Sequence, residues 1–182
     1  MKRFRTGIIL PILICLLALG TVSAGAQARL EANVSWPLLV ALNNSSILGT
    51  GGSIDFSQYH LIVPDFRAYY QFGDDFLRGG IGVRVPTFIV MSLFWPEAFV
   101  ELNLSPIVLE ASLGGFLFGA FGLGVGSFSV QPWVIPDLNA SIEIAPWFRL
   151  GGGVLFLAPF NTWNQDFLYI AYVGARFIFL IK

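Results

Sequence analysis

Cysteine, histidine and charge are all scarce here: one Cys, one His and 12% charged residues in a chain of 182. Cys15 lies inside the apolar run IILPILICLLALG, with no small residue before it, so it does not read as a lipoprotein acceptor. Beyond that run there is no cysteine, which excludes a disulfide, a thiol nucleophile and a zinc–thiolate site. With His60 as the lone histidine, no metal cluster, phosphate loop or acid–base pair can be assembled from the sequence, and no cofactor is implied. Basic residues are few as well. After residue 26, Arg29, Arg67, Arg78, Arg84, Arg149, Arg176 and Lys182 face eleven acids. There is no basic patch, so nucleic acid is not an expected partner.

Apolar residues are abundant. They make up 55% of the chain, and the mean hydropathy is +0.74. The first residues, MKRFRTG, are basic, an apolar run follows, and then come the small-residue triplets Ala24-Gly25-Ala26 and Ala26-Gln27-Ala28. This is the layout of a secretory signal peptide, expected over residues 1–28 with cleavage after Ala26 or Ala28. Pro11 in the run argues against an uncleaved spanning anchor. Residues 29–182 then form one domain, still too apolar for a soluble protein.

Only helices and closed barrels cross a bilayer, because every backbone polar group must be satisfied internally. A polytopic helical inner-membrane protein is the alternative to weigh. Residues 111–136 carry no charge and are long enough to span, but they hold six glycines and two prolines, a poor composition for a helix. Elsewhere charges recur every few residues, which a helix facing lipid would not tolerate. The period points the other way. Phe66, Ala68, Tyr70 and Phe72 alternate with Arg67, Tyr69 and Gln71; Leu138, Ala140, Ile142 and Ile144 alternate with Asp137, Asn139, Ser141 and Glu143. Period two is the strand period, and it recurs along most of the chain.

Three breaks are very short, at Gly73-Asp74-Asp75, Ser105-Pro106 and Ala145-Pro146, and each is followed by a glycine pair. Longer segments lie around 43–53, 88–96, 119–134 and 158–166. Strands are therefore expected near 29–42, 55–72, 76–88, 96–104, 107–118, 135–144, 147–157 and 166–180, the second bent at Pro64. Eight strands, short turns on one side and long loops on the other describe an all-β, antiparallel up-and-down transmembrane barrel. In that architecture the chain resembles the small outer-membrane proteins of the OmpX, OmpA-barrel and OmpW kind. The resemblance implies the outer membrane of a diderm bacterium, outer-membrane lipids and the barrel-assembly machinery as partners, and a monomer. A porin-like or cell-surface role, with a host or surface partner, falls within it.

Aromatic belts are expected at the two interfaces. Trp36, Trp95, Trp133 and Trp163 fall near the long loops, and Tyr70, Phe72, Trp147 and Phe148 near the short turns. Charges within strands fall on the face away from lipid. Arg67, Arg78, Arg84, Arg149 and Arg176 would meet Glu97, Glu101, Glu110, Asp137 and Glu143 in the lumen, with Glu31 nearby. In so narrow a barrel they would pair as a structural core; an ion-conducting path is the competing reading. Inward glycines such as Gly80, Gly82, Gly114 and Gly153 would leave room for the arginines.

Toward the long loops the inward positions become Leu39, Phe116, Leu155 and Ile170, which predicts an apolar upper chamber able to take a small apolar ligand. Pro37, Pro86, Pro96, Pro132, Pro136 and Pro159 gather near that end. They either terminate strands or open gaps between them. A lipid-modifying enzyme is a further alternative, resting on His60 with Ser57 and Asp65 nearby. The lipid-A deacylase pattern wants serine two residues after the histidine, where Ile62 stands, so a non-enzymatic protein is expected and no catalytic residue is assigned.

Overall fold

The computed structural model describes residues 26–42, 53–55, 61–88, 91–122, 125–160 and 167–181. Within them lie nine strands: β1 (Gln27–Leu42), β2 (Ser53–Asp55), β3 (Val63–Gly73), β4 (Leu77–Phe88), β5 (Met91–Leu104), β6 (Ile107–Gly122), β7 (Val125–Ala145), β8 (Phe148–Pro159) and β9 (Leu168–Ile181). No helix among the described residues is long and apolar enough to cross a membrane. The helical alternative is therefore set aside in favour of strands.

Each strand pairs antiparallel with the next from β3 to β9, and β1 closes the ring by pairing with both β3 and β9. The barrel wall thus has eight strands, and closure leaves no open edge. The short strand β2 pairs with Leu39–Ala41 of β1, above the part of β1 that pairs with β3. The expected single bent strand over 55–72 is thus β3 alone, starting at Val63, with residues 56–60 outside the described set.

Period two follows from two solvents meeting one wall. Leu30, Phe66, Ile81, Val100, Leu113, Leu138 and Phe179 stand exposed on the outside, while Arg29, Arg67, Arg84, Glu101 and Arg149 are buried inside. An unbroken apolar exterior of this kind would drive aggregation in water but suits hydrocarbon. This is an outer-membrane-type β-barrel.

The three short turns fall where expected and lie at one end with both ends of the wall, since Ala28 pairs with Ile181 and Gln27 with Gln71. The opposite end departs from expectation. Segment 119–134, read as a loop, is mostly strand: β6 and β7 continue as a paired hairpin to Gly122 and Val125. Its outer residues Phe121, Phe128 and Val130 are exposed, and Phe94 stacks on Phe121 at 5.1 Å and meets Phe128 at 4.7 Å.

The prolines sit within strands more often than at their ends. Pro37, Pro86, Pro96 and Pro136 lie inside β1, β4, β5 and β7, and Pro159 ends β8. The ladders break beside them. Pairing skips from Arg84–Trp95 to Thr87–Ser92, and the register shifts between Pro37 and Leu39 and between Phe94 and Glu97. A missing N–H is the common cause.

Candidate functional site: the barrel lumen

The lumen is built in tiers. Nearest the short turns, Glu101 of β5 is fully buried and receives three guanidiniums. Arg149 holds it with two bonds of 2.7 and 3.1 Å, Arg29 with one of 2.9 Å, and Arg78 with one of 3.3 Å. Arg29 also binds Glu31 at 2.6 Å and Gln71 at 2.8 Å, with its guanidinium 5.0 Å above the Phe99 ring. Glu143 lies at the rim, 3.0 Å from Arg149 and partly exposed.

The middle tier centres on Glu110. It accepts from Arg176 in a very close contact and from Arg67 at 3.0 Å. The upper tier joins Arg67 and Arg84 to Asp65, Glu97 and Asp137, with Arg84 at 2.9 Å from Asp65 and 2.7 Å from Asp137. Neutral donors complete it. The Tyr69 hydroxyl and Trp95 Nε1 donate to Glu97, and the Tyr172 hydroxyl donates to Asp137. All ten charged residues predicted for the lumen thus lie in this one network.

Arg29, Asp65, Tyr69, Gln71 and Tyr172 also belong to the network and are not among the residues expected in the lumen. Their signal was present. Arg29, Glu31 and Asn33 alternate with Leu30, Ala32 and Val34, and Asp65 shares the face of Arg67. Inward glycines do a different job from the one expected. Gly80 pairs with Phe99, Gly82 with Tyr69 and Gly153 with Tyr172, so each lies beneath a ring from the adjacent strand. A Cβ on Gly114 would stand 2.4 Å from the Trp95 ring. At these four positions the glycines make room for aromatic rings rather than for arginines, and those rings in turn carry the network's neutral donors or pack on it.

Above the upper tier lies a cavity of about 540 Å³. Its floor holds Asp65, Arg84 and Tyr172; its walls include Val40, Pro86, Phe118, Ile135, Leu155 and Ile170. Leu155 and Ile170 line it as predicted, but Leu39 and Phe116 do not. The β1 irregularity between Pro37 and Leu39 reverses the alternation, so Val40 pairs with Ile170 and faces in. In β6, Gly115 has φ 116° and Phe116 φ 66°, a bulge that takes Phe116 out of the ladder. Phe116 is exposed beside Phe160, and Phe118 takes the inward place.

Two predicted belt residues are also corrected. Trp95 is buried and Trp133 lines the cavity, so both face the lumen. Trp36 pairs with outward Val173, and Trp163 lies outside the described residues, as do His60 and Ser57. At the short-turn end Tyr70 and Trp147 are exposed, Trp147, Phe148 and Phe177 cluster, and Phe72 lies over Gly79.

Solved barrels resemble it. The chain is similar to the crystal structure of Neisserial surface protein A, at 18% identity over 84% of this chain and 98% of that one, with a TM-score of 0.49. It is similar to the N-terminal β-barrel domain of Pseudomonas aeruginosa OprF, at 11% identity over 85% and 100% and a TM-score of 0.47. Ail, the attachment invasion locus protein of Yersinia pestis, matches at 9% identity over 85% and 99% with a TM-score of 0.40. No family model matches the chain, and no curated protein sequence does.

Proposed function

We propose that this is a non-enzymatic outer-membrane protein that binds a small apolar molecule in its upper lumen, or passes it to the membrane. The lower lumen is shut to ions. The observation that carries this reading is an apolar chamber of about 540 Å³ standing directly on a tier of buried ion pairs. That volume suits a drug-sized ligand. An unliganded apolar cavity forfeits contacts that a ligand restores. Broken ladders beside Pro37, Pro86 and Pro96 offer a sideways route between strands. Below the floor, guanidiniums and carboxylates occupy the cross-section and hold each other in place, which supports a plug rather than a path.

The test uses the protein in lipid bilayers. Planar-bilayer recording should show no steady conductance, and an apolar fluorescent probe should bind saturably. Large steady conductance would defeat the plug. Absence of saturable probe binding would leave the second reading, a structural or adhesive surface role. That reading draws on the β6–β7 hairpin, whose exposed Phe121, Phe128 and Val130 lie beyond the ion-pair tiers.

A further inference from the structure

The outward face stays apolar beyond the height that a membrane crossing needs. A barrel strand crosses the hydrocarbon in about 9–11 residues, whereas β6 holds 16 and β7 holds 21. Above the Gly115–Phe116 bulge the outward row of β6 runs Leu117, Gly119 and Phe121, paired with Val130, Phe128 and Gly126 of β7. Phe128 and Val130 are 63% and 81% exposed, and Phe94 of β5 packs over Gly119 against both Phe121 and Phe128. The other face of β7 is polar here. Ser127 and Ser129 pair with Ala120 and with Phe118, which lines the chamber. The alternation that lipid and lumen impose on the lower wall thus continues up the hairpin, in a stretch, 111–136, without a single charge. On β4 and β5 the outward rows become polar only at Thr87 and Ser92, whose hydroxyls bond at 3.1 Å, and Ser92 pairs with Phe121.

We propose that the outward face of the β6–β7 hairpin is a lipid-binding surface, seated in the outer leaflet at the boundary between acyl chains and headgroups. Phe94, Phe121 and Phe128 are its anchor, and the Phe121–Ser92–Thr87 level marks the headgroups. The height agrees. The 16 residues of β6, at about 3.3 Å each and tilted about 40°, climb roughly 40 Å, a bilayer with its headgroups rather than a projection into water. In water the same face would be an uncharged aromatic strand open to aggregation; at the interface it is an aromatic anchor. This assignment takes the hairpin away from the adhesive reading and is independent of what the chamber holds.

The chain from Gln27 onward holds no cysteine, so a single introduced thiol can carry a nitroxide label in the full mature protein. The protein is held in nanodiscs of palmitoyl-oleoyl-phosphatidylcholine. Labels go on Phe128→Cys and Val130→Cys, with Leu113→Cys on the lower outward wall and Asp75→Cys at the exposed first turn as references. Collisions with oxygen, which concentrates in lipid, are compared with collisions with a water-soluble nickel chelate. Labels at 128 and 130 should favour oxygen, as at Leu113, while the label at Asp75 favours nickel. Nickel access at 128 and 130 equal to that at Asp75 would place the hairpin in water and overturn the proposal. Low access to both reagents at both positions would show protein, a second copy, over this face and overturn it as well. Val130 stands outside the Phe94–Phe121–Phe128 cluster, so it decides the matter even if Phe128→Cys loosens the rings.

Discussion

Arg149 on β8 reaches across the lumen and grips Glu101 on β5 with both terminal nitrogens, at 2.7 and 3.1 Å. Both residues are buried, and Glu101 is shared with Arg29 and Arg78. Removing one partner of a buried pair leaves a charge stranded in low dielectric, at about 3–5 kcal/mol. Arg149→Leu should therefore lower stability by that order, read from urea unfolding in lipid vesicles. Glu101→Gln should cost at least as much, because three guanidiniums lose their counter-charge and one of the two accepting oxygens becomes an N–H₂ donor that opposes them. Glu143→Gln, at the partly exposed rim, should cost far less. Equal, small losses for all three would mean that the lumen is solvated.

Gly114 gives a steric test of the same wall. Its absent side chain leaves space for the Trp95 ring, which a Cβ would approach to 2.4 Å. Gly114→Ala should push the ring off Glu97 and destabilise by about 1–3 kcal/mol, as overpacked cores do. Gly126→Ala is the control, since its Cβ would meet nothing nearer than Phe121 at 3.9 Å. It should change stability by less than about 0.5 kcal/mol. Thermal shift of the gel-mobility transition measures both.

Most of the wall was legible because lipid and lumen impose opposite chemistry on successive residues. Charges at Arg67, Arg78, Glu101, Glu110 and Arg149 could only face in, and that fixed the phase of their strands. Legibility failed where the phase breaks. In Ser35-Trp36-Pro37-Leu38-Leu39 the proline signals a break in the ladder but not that the alternation reverses across it, so strict period two puts Leu39 inward where the structure puts Val40. At Gly115-Phe116 the turn in the backbone needs positive φ on two successive residues, which only the first advertises. Trp95 and Trp133 look like interface residues by type. Their inward aim depends on the register of neighbouring strands, a non-local property. Arg29 was overlooked for a different reason, because it stands at the very start of β1, where a strand and a cleavage region adjoin.

That junction makes a prediction of its own. Gln27 and Ala28 are already paired, with Gln71 and Tyr70 on one side and Ala28 with Ile181 on the other. Cleavage after Ala28 would strip both and place a new terminal charge on buried Arg29. Cleavage after Ala26 leaves β1 whole. Intact mass of the mature protein should therefore correspond to a chain beginning at Gln27; a chain beginning at Arg29 would refute this.

The first short turn carries a pH-sensitive contact. Asp74 Oδ1 accepts from the backbone N–H groups of Leu77 and Phe76, each at 2.8 Å. Those bonds, Leu77 first, hold its carboxyl below the ordinary aspartate range. A lowered folded-state pKa means the contribution is complete above that range and is lost as pH falls through the folded pKa. Amide exchange at Phe76 and Leu77 should accelerate on acidification beyond the intrinsic trend. Asp74→Asn should lose that acid-dependent step, and a step that persists in the variant would assign it elsewhere.

Trp95 and Trp133 line the chamber, whereas Trp147 stands exposed at the opposite rim. Bromine quenches an indole only at contact, so these residues report where an apolar molecule sits. Two variants are compared in nanodiscs, one keeping Trp95 alone and one keeping Trp147 alone, with phenylalanine at the other tryptophans. Bromododecane entering the chamber should quench Trp95 along a saturating curve. Trp147 should instead follow bulk partition into lipid, with a linear response matching that of a brominated phospholipid. The phospholipid itself should leave Trp95 bright, because its acyl chains stay outside the wall. Saturating quenching of Trp95 by bromododecane, with no response to the phospholipid, locates the ligand inside the barrel. Parallel linear quenching of both tryptophans would place it in the bilayer, and the chamber would then hold no apolar guest.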